Sequence, residues 1–197
     1  VGSFADLNLK TYDLSLSDKS SMWPFKKKIT VPELIDALLR LVRVFDAEKE
    51  GFCETLGLDA NEPLIRDEIL LLKVSAIDLA ITSALGNSER AENIRGNFFV
   101  TLGLDSFGEE ISSKLYNRTD AYAETLKSSF ANNETMSFEE KKEKALTNIG
   151  VLFGEFLGDE SIGVVTAGVS TFSLTHQYAK ERIEHLITNF NLVLNED

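Results

Sequence analysis

The chain has 197 residues, 43% of them hydrophobic, a net charge of −12 and a single cysteine, Cys53. A chain of this size buries a core without staples, and the lone thiol excludes both an intrachain disulfide and a thiolate zinc cluster. Residues 1 to 28 carry five lysines against three aspartates, so the remainder, with 15 basic and 29 acidic residues, repels phosphate backbones and argues against nucleic-acid binding. The only prolines are Pro24, Pro32 and Pro63, which leaves everything from Leu64 onward free of helix-breaking rings. The expected fold is all-α: a single-domain bundle of about six helices over 30–197, ending in a long antiparallel helical hairpin. The expected compartment is the reducing cytoplasm.

Residues 1–29 differ in character from the bundle. Leu7, Leu9, Leu14 and Leu16 alternate with polar residues as an extended segment does, with no second strand pattern to pair with it. The segment reads as an arm that docks on a partner, or as a plain leader, with Met22 as a natural start. Trp23, Phe25, Lys26, Lys27 and Lys28 set two aromatics beside three lysines, an interaction candidate for an acidic protein surface. Contact of 23–28 with an anionic membrane surface is the lesser expectation, because three lysines supply only about 3 kcal/mol of attraction.

Thr30-Val31-Pro32-Glu33 is a capping box with proline in the first turn, and it opens the first helix. That helix carries an apolar face from Val31 to Phe45, with a weak continuation to a glycine stop at Gly57. Pro63 opens the second helix, which runs to Leu85 and is apolar nearly all round, so it is expected to be the most buried. Its charges Arg66, Asp67, Glu68, Lys73 and Asp78 then need partners or an exposed strip. Gly86 ends it and Ser88 caps the third helix, which stops at Gly103-Leu104. The octet FFVTLGLD at 98–105 matches FCETLGLD at 52–59 in six of eight positions. Because the flanks do not match, the octet reads as one helix terminator used twice.

A fourth helix follows from Ser106, with Leu115, Tyr122, Leu126 and Phe130 on one side. A fifth starts at a second capping box, Ser137-Phe138-Glu139-Glu140, and ends at Gly158. It carries Gly150 and Gly154 one turn apart. Each interior glycine costs about 1 kcal/mol relative to alanine, so the pair implies close approach of another backbone, within the chain or across a homodimer seam.

Over 160–194 the apolar residues Ile162, Val165, Val169, Phe172, Ala179, Ile183, Leu186, Phe190 and Val193 fall at 3-4 spacing, predicting a seam roughly 50 Å long. His176 occupies one of its slots. A buried imidazole there fixes register, or serves as the polar contact of an apolar ligand or cofactor held in the bundle. His185 lies about 180° away on the same helix, so the two histidines cannot share a metal. Ser161 to Ala179 carries no Asp, Glu, Lys or Arg. A membrane-active hairpin is the weakest reading of this stretch, which is rich in Ser, Thr and Gln.

No phosphate loop, serine elbow or metal motif is present. The functional expectation is a non-catalytic protein-binding or regulatory module with no cofactor, and with self-association among its modes. Its candidate interaction residues are Trp23, Phe25, Lys26, Lys27, Lys28, Gly150 and Gly154.

Overall fold

The computed structural model describes residues 28–43, 62–104, 109–131 and 135–193. The order is β1 (Lys28–Thr30), α1 (Val31–Arg43), α2 (Pro63–Leu85), α3 (Glu89–Leu104), α4 (Glu109–Ala131), α5 (Phe138–Leu157), α6 (Ile162–Asn189) and β2 (Asn191–Val193). Six helices and two three-residue strands make this an all-α bundle among the described residues. The segment 1–27, the continuation of the first helix past Arg43 and the octet at 52–59 lie outside them.

Local chemistry sets several helix ends. Thr30 and Glu33 complete a reciprocal box, with the Thr30 N–H donating to Glu33 Oε2 at 2.8 Å and the Glu33 N–H to Thr30 Oγ1 at 3.4 Å. Ser137 and Glu140 repeat it at the start of α5. Gly158 closes α5 in the left-handed region, φ 70°, while the Asp159 N–H reaches back to the Gly154 carbonyl at 3.0 Å. Ser88 and Ser161 cap α3 and α6 by accepting from the N–H groups of Ala91 and Val164.

As its all-round apolar sequence requires, α2 is central: thirteen of its 23 residues are buried, and it packs most extensively on α6. The pair runs through two apolar clusters. In one, Leu71, Ile77 and Ile81 of α2 and Ala179, Ile183 and Leu186 of α6 meet α1 and the buried face of α3. In the other, Ile65, Ile69 and Leu72 of α2 and Val164 and Phe172 of α6 enclose Tyr122 of α4 and Ile149 and Phe153 of α5.

Three sequence expectations are corrected. First, α6 stops at Asn189; Phe190 is extended (φ −128°, ψ 156°), and Asn191–Val193 is a strand rather than the last turn of the seam. Second, that strand pairs in parallel with β1, Ile29 opposite Leu192, so the part of the arm from Lys28 onward belongs to the bundle. A two-stranded sheet this short is marginal alone, and burial of Ile29 with half-buried Leu192 and Phe190 against the first cluster holds it. Third, the buried line of α6 is Val164, Gly168, Phe172, Thr175, Ala179, Ile183 and Leu186, stepped 4-4-3-4-4-3. That is the stripe of a straight helix near 3.6 residues per turn, whereas the predicted 3-4 alternation belongs to a supercoiled one. The two patterns diverge toward the N-terminus of the helix, where Ile162 is 86% exposed and Thr175 takes the place foreseen for His176.

Candidate functional site

Two charges of α2, Glu68 and Asp78, find partners on neighbouring helices, while Arg66 pairs with Asp67 on α2 itself. Fully buried Glu68 accepts from Nε and Nη2 of Arg118 on α4 at 2.9 and 2.7 Å, a two-pronged pair that ties α2 to α4 inside the second cluster. The same guanidinium lies 3.6 Å from the centre of the Phe156 ring on α5. Beside it, the buried Tyr122 hydroxyl makes no hydrogen bond among the described residues, and burial followed by the Glu68 carboxylate holds its phenol far above the ordinary value. A phenol so held gives up no proton at neutral pH. Asp78 pairs with Arg95 of α3 in the same two-pronged way, with 2.8 Å from Arg95 Nη2 to Asp78 Oδ2. These groups join helices; they do not converge on a cleft.

His176 is half-buried at the α2–α6 contact, with Nε2 3.3 Å from Ser83 Oγ, and not in the core line where the heptad reading set it. The imidazole thus faces a serine on the neighbouring helix, one position off the buried stripe. Burial, reinforced by Lys180 and Lys142, lowers its pKa. The unfolded chain therefore binds the proton more readily. Stability from the neutral ring is complete above the unfolded value of about 6.5 and is lost as pH falls through the lowered folded value. With His176→Gln, the drop in urea midpoint between about pH 7.5 and about pH 5 should shrink relative to the parent chain. An unchanged drop would remove His176 as the cause.

The remaining sequence candidates fall into two groups. Trp23, Phe25, Lys26 and Lys27 lie outside the described residues, and Lys28 is exposed at the start of β1. Gly150 and Gly154 are buried against the chain's own backbone. A Cβ on Gly150 would press on the Val165 carbonyl oxygen and stand 2.7 Å from Val169 Cγ2, and one on Gly154 would stand 2.8 Å from the Asp159 carbonyl oxygen. Gly168 of α6 answers from the other side, its missing Cβ leaving room for the Phe153 ring. This packing accounts for the glycines without a second chain and takes both off the exposed surface.

The outward face of α6 carries the feature the sequence reading undervalued. Over Ser161 to Ala179 a helix with a solvent-facing side bears no charge, on a chain whose residues are 26% charged. Gly163, Thr166, Ser170 and Gln177 are exposed there, as are Leu174 (45%) and Tyr178 (50%). Phe138, also exposed, sits by contrast beside Glu139 and Glu140. The signal lay in the sequence as a charge-free run, but only the position of the buried stripe separates its inner from its outer residues. An open groove between α1 and α3 is lined by Val31, Ile35, Asp36, Leu39, Asn97 and Thr101.

Among the described residues there is no cluster of three or more His, Cys, Asp or Glu able to hold a metal ion, and no helix is long and apolar enough to cross a membrane. The chain matches no protein family, no curated protein and no solved structure.

Proposed function

We propose that this chain is a non-catalytic helical module that acts by binding protein, in a reducing compartment such as the cytoplasm, through the outward face of α6. The observation that carries the reading is the uncharged exposed stretch from Ile162 to Tyr178 on a molecule of net charge −12. Covering charged side chains strips their hydration and costs several kcal/mol per ion unless each finds a partner. Covering glycine, threonine, serine, leucine and tyrosine carries no such cost, and the tyrosine and leucine supply apolar anchors. The buried polar groups support the same reading, because Glu68, Arg118, Asp78 and Arg95 are spent on one another across helices.

Photo-crosslinking tests it. A benzoylphenylalanine at position 170, irradiated in an extract of the cells that make the protein, should yield protein adducts. The same probe at Ser128, exposed on α4, should yield none, and adding Leu174→Glu should abolish those at 170. Absence of any protein adduct at 170, to another protein or to itself, would end the proposal.

A further inference from the structure

We propose that His176 and Lys180 of α6, Lys142 of α5 and the Ser83 hydroxyl of α2 form a surface site for a single phosphoryl group, carried by inorganic phosphate or by a small ester. The site is a local gathering of donors on a chain of net charge −12. It stands independently of the outward face of α6, and its failure would leave that reading untouched.

Three helices bring the groups together. Ser83 is exposed in the last turn of α2, with its Oγ 3.3 Å from His176 Nε2. Lys180 follows His176 by one turn and shares its side of α6. As α5 is followed back from Gly154, set against Asp159, to Gly150, set against Val165 and Val169, its contact advances along α6. About two turns further back, Lys142 comes level with His176. The electrostatics agree, since the charges felt by the His176 ring are those of Lys180 and Lys142, and both oppose its protonation. Ser83 is a neutral partner and offers the ring no counter-charge.

Two ammonium groups, an imidazole and a hydroxyl are all donors, and an oxyanion can accept from each of them. The lysines have glutamates of their own, but loosely. Glu139 Oε2 is 4.0 Å from Lys142 and Glu184 Oε1 is 3.8 Å from Lys180, beyond hydrogen-bond range and between exposed side chains. Such contacts do not hold a lysine against a doubly charged anion. Asp78, earlier on α2, is already engaged by Arg95 of α3.

The acidic remainder of the chain opposes any anion, and salt decides how far that reaches. At 0.15 M the screening length is about 8 Å, so remote carboxylates are damped while the groups in contact are not. Contacts that stay partly in water make the site weak, with a dissociation constant on the order of 1 mM. A nucleic acid would gain nothing further, because each additional phosphate meets acidic surface.

The chain has two histidines, which builds a control into the test. His185 is exposed further along α6, beside Asn189. Imidazole signals of both are followed by nuclear magnetic resonance as phosphate replaces chloride at a constant ionic strength of about 0.15 M. His176 should shift saturably and His185 should not. The titration midpoint of His176 should move upward in phosphate, because the anion favours the protonated ring. Lys142→Gln and Lys180→Gln should each weaken phosphate binding at least about fivefold and together abolish it, whereas Lys127→Gln on α4 should change nothing. Both lysines are well exposed, so the variants should keep the parent's far-ultraviolet circular dichroism. Glycerol 3-phosphate is the second probe: binding like that of phosphate assigns the site to the phosphoryl group of an ester, and binding of phosphate alone assigns it to the free ion. The proposal is overturned if phosphate moves His176 no more than chloride does, if His185 shifts in step with it, or if binding is indifferent to both lysine changes. The first result would leave these cations the lesser task of complementing the carbonyl end of α2, whose own last turn has no basic residue.

Discussion

Truncating Arg118 to alanine should destabilise the bundle by about 3–5 kcal/mol, the largest loss expected from any single polar change in the described structure. Glu68 is fully buried on the most enclosed helix, and the three hydrogen bonds its carboxylate accepts from Arg118 are what make an ionised group tolerable there. Without the guanidinium the carboxylate stays in the apolar cluster uncompensated, and the stacking on Phe156 is lost with it. Arg118 keeps 24% of its side chain exposed, so water reaching the gap eases part of the penalty and favours the lower half of that range. Two companions make the cause visible. Glu68→Gln combined with Arg118→Met removes both charges and should be clearly less destabilised than Arg118→Ala alone. Glu68→Gln added to Arg118→Ala should likewise recover part of the loss, because it replaces the unpaired buried charge by a neutral amide. Urea denaturation followed by circular dichroism measures all three. A cost under about 1 kcal/mol for Arg118→Ala would mean that the pair does not hold α2 to α4.

How much of this was legible in the chain depended on whether the cause was local. The capping boxes at Thr30 and Ser137, and the Gly86 and Gly158 stops, use atoms within five residues of one another, and the structure has them where the letters put them. The centrality of α2 was legible because a helix apolar on every side has to be enclosed. The Glu68–Arg118 pair was legible only as a need, since its members are 50 residues apart and Arg118 sits on a helix whose sequence reads as surface. The end of α6 was illegible for a related reason. Nothing between Leu186 and Val193 breaks a helix, and the chain leaves it because β1 offers a ladder from the far end of the sequence. His176 was misplaced by one residue because the 3-4 alternation steps four from Phe172 to His176, where the buried line steps three to Thr175. The same alternation hid the outward face of α6. Ile162 was counted as core when it is the most exposed of the large apolar residues described.

Gly150→Ala and Gly96→Ala should move stability in opposite directions although each adds one methyl group to a helix interior. The propensity gain is common to both, about 0.5–1 kcal/mol from restricting the unfolded chain and favouring the helix. At Gly96, exposed in the middle of α3, a Cβ meets nothing within 4 Å, so the gain stands alone and the midpoint of unfolding should rise. At Gly150 the new atom runs into the Val165 carbonyl oxygen, with Val169 Cγ2 at 2.7 Å on the far side. A valine side chain can change rotamer, whereas a carbonyl in the interior of α6 moves only if α6 moves. That helix is also held by α2 and by Phe153 lodged against Gly168. Overpacking against backbone therefore outweighs propensity, and a net loss of about 3 kcal/mol is expected. Urea midpoints of the two variants beside the parent chain decide the point. If Gly150→Ala is neutral or stabilising like Gly96→Ala, then α5 and α6 are not in backbone contact, and the glycines of α5 return as candidates for an external seam. If it destabilises as expected, they are accounted for within the chain, and any protein partner must come to the side of α6 that Gly150 does not touch.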